Sequence, residues 1–322
     1  MGHSVLEIKS ESIQAVMDTL AREPYITRNE LAARCQLSLT TIGKIVNSLY
    51  EYGVLSVSHP KTVQKGRTPS TIGFSDAAKL ALFCIEEREM GLDLIDFRLR
   101  STNRISRRTT PDRDPAEAMT AFLTECRRTL APMRKQIRLC GIVTERQDTT
   151  LPLPEQEISA QLELSVTFRD CAADAMARAA TEQGIITGND CGVLLTDQGG
   201  GFILYHGEIC QGGLSSAFCS GQSHADHIHR ITDTFLTLTS IISPNVLLVC
   251  TEYSPDRLRQ NLEFALDAAS LPSPMRIEVR NIHDLIVHGA GIAMRRAWLD
   301  EVMTDIRRLR PTPAVPHPFT AV

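Results

Sequence analysis

From Ala77 onward the chain alternates short apolar runs with helical segments, and this alternation restricts its fold more than any other feature. The runs LALFCIEE, GLDLIDFRLR, RLCGIV, GVLLTD, GFILYHG, NVLLVCTE and MRIEVR read as strands. Between and after them lie PAEAMTAFLTECRRTLAPMRKQ, CAADAMARAATEQG, ITDTFLTLTSIISP, SPDRLRQNLEFALDAA and HGAGIAMRRAWLDEVM, which read as helices. Neighbouring early strands followed by this alternation predict an α/β architecture. At 322 residues the chain is long enough for two or three domains. The expected division is 1–74, 75–188 and 189–310, with a proline-rich, disordered tail at 311–322.

The first 74 residues have a different pattern. Ile13, Val16, Met17 and Leu20 recur at helical spacing in SESIQAVMDTLARE. A second helix is predicted from the capping box Thr27-Arg28-Asn29-Glu30, in which side chains satisfy each other's backbone donors. It continues to Cys35. Ser38 is a suitable N-cap for a third helix from Leu39 to about Tyr52, with Ile42, Ile45, Val46 and Leu49 as its apolar stripe. The opposite face carries Thr40, Thr41, Lys44, Asn47 and Ser48. Short hydrogen-bonding groups with a lysine and few acids suit a major groove: Thr and Asn read base edges while Lys neutralises phosphate.

Gly43 lies mid-helix, where it costs roughly 1 kcal/mol relative to Ala. Close backbone approach to DNA and neutral surface drift both account for it. Gly53 reads as the helix stop. After it, VLSVSHPKTVQKGRTPSTIGFS reads as two strands around a basic loop, a wing whose Lys61, Lys65 and Arg67 would sit on phosphate or in the minor groove. The competing reading is a three-helix bundle with a solvated hairpin that binds protein. Agreement of helix lengths, cap positions, polar face and basic loop favours double-stranded DNA.

Charge distribution points the same way. Net charge is −4, yet residues 1–73 carry eight Lys/Arg against six Asp/Glu, a net of +2 on an otherwise acidic chain. Hydrophobic residues make up 43% and charged ones 22%, which places the chain among globular proteins rather than disordered ones. No run reaches the length of a membrane span, and MGHSVLEIKS lacks the basic and apolar regions of a signal peptide. The expectation is a cytoplasmic protein with no membrane partner. The nine cysteines form no CxxC pair and sit mostly in apolar surroundings, as free buried thiols would.

The stretch NELAARCQLSLTTIGKIVNSLYEYGVLSVS…KGRTPSTIGF resembles the N-terminal domain of ROK-family transcriptional regulators, sugar-responsive repressors related to sugar kinases. Their recognition helix has a Leu-Ser-x-x-Thr-Val-Ser-x-x-Val pattern and their wing a Gly-Arg-Pro signature. Here the wing has Gly66-Arg67-Thr68-Pro69, one residue longer. The resemblance continues through Phe168–Ala175, Gly200–Ile209, Ser243–Leu248 and Gly289-Ala290-Gly291. It implies a winged helix-turn-helix followed by a two-lobed actin-like (ribonuclease-H-like) domain, assembled as a homodimer or homotetramer.

Several departures from the family pattern imply that the kinase chemistry is lost. The family's Asp-x-Gly-Gly-Thr phosphate turn is Glu86-Glu87-Arg88-Glu89-Met90-Gly91 here, and glutamates repel a triphosphate. Its Gly-Thr-Gly loop is Thr196-Asp197-Gln198, and the late Gly-Gly is Cys250-Thr251. The sugar- and zinc-binding Glu-x-Gly-His is absent from Gly212–Cys219, no cysteine-rich zinc loop follows, and the Pro-Gly element after Val143 is missing. A reduced, non-enzymatic domain without cofactor or metal is expected, responding to a sugar or sugar phosphate if to anything.

Asp170 stands where the family has its catalytic base. It reads either as an anchor for a polar ligand or as the cap of a helix starting near Cys171, and the cap is favoured. His224 and His227, three apart, would share a metal on a helix or mark a helix start with surface histidines. The run containing Arg98, Arg100, Arg104, Arg107 and Arg108 reads as edge protection for a hairpin, or as a surface beside the wing that brushes DNA. The function expected is a repressor of carbohydrate-related genes. Two alternatives are a sugar kinase with an attached DNA-binding domain and a ligand-independent DNA-binding or assembly protein.

Overall fold

In the computed structural model the described residues are 5–58, 70–86, 89–110, 113–145, 149–196, 201–206, 208–210, 224–239, 241–251, 255–268 and 275–308. They fall into two compact units: Met1–Ala77 with Met294–Val322, and Ala78–Ala293. No helix among the described residues is long and apolar enough to cross a membrane.

The smaller unit contains α1 (Val5–Arg22), β1 (Ile26–Thr27), α2 (Arg28–Cys35), α3 (Leu39–Glu51), β2 (Leu55–Ser58) and β3 (Thr71–Phe74). Its three strands form an antiparallel sheet in the order β1-β3-β2. Val16, Met17 and Leu20 of α1, Leu31 of α2, Ile42, Val46 and Leu49 of α3, and Val54, Leu55 and Ile72 are all buried, with α1 packed on α2 and β3, α2 on α3 and α3 on β2. On α1 and α3 these positions recur at helical spacing, so burying them orients both helices, while adjacent Leu31 and Ala32 turn α2 inward. The capping box forms as the sequence predicts: Thr27 Oγ1 accepts from the Glu30 amide, and Glu30 accepts from the Thr27 amide. Gly53 follows α3 with φ 69°, as a helix stop requires. The last helix, α9 (Ile282–Arg308), supplies its residues from Met294 on to this unit, where Trp298, Leu299, Val302 and Met303 are buried. A domain read as 1–74 does not include this stretch.

The larger unit holds two five-stranded sheets. The first comprises β4 (Lys79–Ile85), β5 (Glu89–Asp96), β6 (Ser101–Arg108), β7 (Ile137–Thr144) and β8 (Val166–Cys171), in the order β6-β5-β4-β7-β8. The second comprises β9 (Cys191–Thr196), β10 (Gly201–Tyr205), β11 (Glu208–Ile209), β12 (Val246–Thr251) and β13 (Arg276–Asn281), in the order β11-β10-β9-β12-β13. Each sheet has an antiparallel three-strand meander whose first strand also pairs in parallel with the fourth, and the fourth with the fifth. One topology thus occurs twice. The remaining helices are α4 (Pro115–Leu130), α5 (Glu155–Leu162), α6 (Ala172–Glu182), α7 (His224–Thr239) and α8 (Pro255–Ala268).

The sequence run GLDLIDFRLR breaks at Asp96, which accepts from the Arg98 and Arg100 amides and pairs with the Arg100 guanidinium at 2.8 Å. The chain turns there, and the basic run becomes the exposed edge strand β6. Arg104 and Arg107 pair with Glu89 and Glu125, so the edge is charged and side-chain-covered, as edges need to be.

Candidate nucleic-acid interface

The polar face of α3 is built by its two ends and its apolar stripe. Ser38 caps the helix, accepting from the Thr41 amide at 3.1 Å, and its hydroxyl also contacts the Thr41 hydroxyl at 2.9 Å. With Ile42, Ile45, Val46 and Leu49 turned inward, Thr40, Lys44 and Asn47 stand exposed at helical spacing, with Thr41 and Ser48 half-buried beside them. The stripe ends at exposed Glu51. A Cβ on Gly43 would have nothing within 4 Å, so no packing within the protein requires a glycine at this position.

Arg28 belongs to this surface, although the sequence reading treated it only as part of the capping box. Its Nη2 donates to Asn47 Oδ1 at 3.1 Å, across the angle between α2 and α3. No local pattern links two residues so far apart in sequence; only the packing of α2 on α3 brings them together. The pair adds a cation to the exposed face and fixes the amide of Asn47 with its oxygen toward Arg28.

β2 and β3 are in register from Leu55↔Phe74 to Ser58↔Thr71. They bracket the basic loop; Lys61, Lys65 and Arg67 themselves lie outside the described residues. So do Asp197 and Gln198, the side chains of His224 and His227, and the tail 311–322.

In the larger unit the expected cap at Asp170 is corrected. The N-cap of α6 is Cys171, whose sulfur accepts from the Asp174 amide. The helix begins one residue later than an Asp170 cap requires. The nearly buried Asp170 carboxylate is occupied elsewhere: Oδ1 accepts from the Cys171 amide at 3.0 Å and Oδ2 pairs with Arg178 at 2.8 Å. Arg178 also donates to the carbonyl of Gly289 at 2.9 Å, which ties α6 to α9. Burial pushes the Cys171 thiol up to about 11, so it is a neutral cap rather than a nucleophile despite its place at a helix N-terminus.

Between β4 and β5 the Glu86 amide donates to the Glu89 carbonyl at 2.9 Å; Glu87 and Arg88 lie outside the described residues. Buried thiols fit the sequence expectation: among the described residues Cys84, Cys126, Cys140, Cys171 and Cys250 are buried and form no disulfide.

No protein-family model matches the chain, and no curated protein matches it. Among solved structures, a ROK family transcriptional regulator described as a homologue of the E. coli MLC protein superposes with a TM-score of 0.60 at 13% identity, covering 92% of this chain and 99% of that one. A ROK family glucokinase from Streptomyces griseus, in complex with glucose and AMPPNP, gives 0.48 at 13% identity over 68% and 100%. An inorganic polyphosphate/ATP-glucomannokinase from Arthrobacter sp. strain KM gives 0.45 at 15% over 67% and 98%. The chain therefore has a mixed α/β fold, and across nearly its whole length it is the fold of that ROK family regulator.

Proposed function

We propose that the protein is a sequence-specific DNA-binding transcriptional regulator, a repressor, whose larger unit is a non-catalytic effector domain. The observation that carries this reading is the exposed face of α3. Thr40, Lys44 and Asn47 stand in one row above a fully apolar stripe, and the glycine beside them has no packing role. In this reading α2 and α3 are the helix-turn-helix, α3 enters the major groove, and β2 and β3 are the stem of a wing whose Lys61, Lys65 and Arg67 neutralise phosphate. Arg28 joins the phosphate-contacting set. A homodimer or homotetramer sets two α3 helices on half-sites about 34–36 Å apart.

The absence of kinase activity is supported by Glu86 and Glu89, glutamates where the family pattern has its phosphate turn. A sugar or sugar-phosphate effector would act by preferring one spacing of the recognition helices, shifting DNA affinity by its differential binding.

Genomic footprinting of the full-length protein supplies the operator. Fluorescence anisotropy on that operator should then show Thr41→Ala, Lys44→Ala and Arg67→Ala each weakening binding, with circular dichroism unchanged. Wild-type affinity in all three would remove α3 and the wing from the interface. Thermal-shift screening against sugars and sugar phosphates tests the effector, and turnover of ATP with any hexose would refute the non-catalytic reading.

A further inference from the structure

The sequence reads His224 and His227 either as ligands of one metal or as surface histidines at a helix start; the described residues assemble a separate donor set in the larger unit. Cys84 on β4, Asp93 on β5 and His283 in the first turn of α9 place a sulfur, a carboxylate oxygen and an imidazole nitrogen within 4.8 Å of one another. Register explains two of the three. Cys84 lies opposite Gly91 and Asp93 opposite Leu82, so Cys84 and Asp93 are diagonal neighbours on one face of the hairpin. Gly91 leaves that face open beside Cys84; even an added Cβ would lie 3.9 Å from the Cys84 Cβ. His283 comes from α9, which packs on this face: Gly291, two turns on, lies against Ile95 and Leu99.

Asp93 is completely buried. Ser101 Oγ donates to its Oδ1 at 2.7 Å. His283 Nε2 lies 3.2 Å from Oδ1 and 3.1 Å from Oδ2. One ring N–H makes one hydrogen bond, and it falls on Oδ1, leaving Oδ2 buried with no hydrogen bond. An ionised carboxylate with an unsatisfied oxygen in the interior is expensive. Cys84, also buried, faces the same point.

We propose that Cys84, Asp93 and His283 form a binding site for a thiophilic divalent cation of the zinc class. A tetrahedral zinc with bonds of about 2.0–2.3 Å holds its ligand atoms roughly 3.2–3.8 Å apart, within the spacing seen here. One thiolate, one imidazole and one carboxylate are zinc-type ligands, whereas calcium and magnesium prefer all-oxygen sets. Ser101 on Oδ1 supplies the outer hydrogen bond that orients a ligating carboxylate. With Oδ2 on the metal, both oxygens of Asp93 are satisfied. Loaded, the site ties α9 to the β4–β5 hairpin through three elements of the larger unit. This assignment is independent of the DNA-binding reading.

The test uses the full-length chain after chelator treatment and dialysis. Titration with Co2+ should load one equivalent and give a thiolate-to-cobalt charge-transfer band, which Zn2+ displaces. Cys84→Ala should abolish the band, and His283→Gln should weaken Zn2+ binding, with circular dichroism reporting the fold. Ser101→Ala, which removes no ligand, should weaken zinc by about 10-fold or more. If the ligand variants do not fold, zinc-edge absorption spectroscopy of the loaded wild type decides, with one sulfur and the remaining ligands nitrogen or oxygen expected. No cobalt or zinc uptake by the folded wild type, a band unchanged in Cys84→Ala, or a shell with no sulfur or several would each overturn the assignment and leave a buried His–Asp pair beside an inert thiol.

Discussion

Trp298 of α9 sets its indole edge-on to the ring of Tyr52, the C-cap residue of α3, with centroids 6.3 Å apart and planes at 85°. Trp298 is buried, and one turn earlier the buried Arg295 pairs with Asp18 of α1. The last helix, from Met294 on, therefore belongs to the core that holds the polar face of α3. Trp298→Ala should destabilise the smaller unit by about 3–5 kcal/mol, the range for a deleted large aromatic, and Trp298→Phe by clearly less. Trp298 is the chain's single tryptophan, so wild-type fluorescence follows this unit alone in urea. Circular dichroism, which follows both units, makes the comparison among variants. Equal stability of Trp298→Ala and wild type would mean that α9 is dispensable to this core.

Gly43→Ala separates the two accounts of that glycine. A methyl group there meets nothing, so helix propensity alone should raise stability by roughly 1 kcal/mol. If the backbone of α3 approaches DNA at this point, operator affinity falls while the melting temperature rises. Unchanged affinity would identify surface drift as the cause.

Lys44 and Asn47 should fail differently. Lys44→Ala is expected to weaken operator and random DNA alike and to reduce the salt dependence of log K by about 1. Asn47→Ala should cost about 1–3 kcal/mol on the operator and relax specificity at one base position. Because Arg28 donates to Asn47, Arg28→Ala should reproduce part of that loss. Binding measured across a salt series on both DNAs distinguishes these outcomes.

Removing Arg178 should harm the larger unit more than neutralising its partner. Arg178→Ala strands the Asp170 carboxylate and removes a donor from the Gly289 carbonyl; for a partly buried charged hydrogen bond a loss of about 1.5–3 kcal/mol is expected. Asp170→Asn keeps an acceptor and removes the charge, so a smaller loss is expected. Denaturant midpoints of the two variants, followed by circular dichroism, make the comparison.

Acid should act on the second sheet through Asp190. Its carboxylate accepts from the Thr187 amide and hydroxyl and from Asn245, and lies 3.4 Å from Arg276. These groups, the Thr187 amide first, hold it below its ordinary value of 3.8. A depressed carboxylate adds stability above the unfolded value and loses it as pH falls through the folded one. The stability gap between wild type and Asp190→Asn should be full at pH 7 and close in strongly acid solution. A gap independent of pH would assign the effect to packing rather than charge.

Local features were legible in the sequence. The Thr27–Glu30 box, the Ser38 cap, the stripe Ile42–Leu49 and the stop at Gly53 all depend on neighbours within a turn or two, and all are where the pattern put them. Most strands were equally visible, because a strand covered on both faces is dominated by apolar residues. The helix cap at Asp170 was misplaced by one residue because Cys171, a weaker acceptor than aspartate, took the position. What could not be read were meetings across the chain. Arg28 with Asn47, Asp18 with Arg295 and Cys84 with His283 become neighbours only after the elements pack, and nothing in residue spacing encodes that.

Gly289 has a mechanical consequence. A Cβ there would fall 1.8 Å from the backbone oxygen of Ala175, so the backbones of α6 and α9 lie in direct contact at this point. Main chain, unlike a side chain, has no rotamer into which it can withdraw. With Arg178 pinned to the Gly289 carbonyl as well, the two helices form one stiff strut. Even alanine at position 289 would force this strut apart.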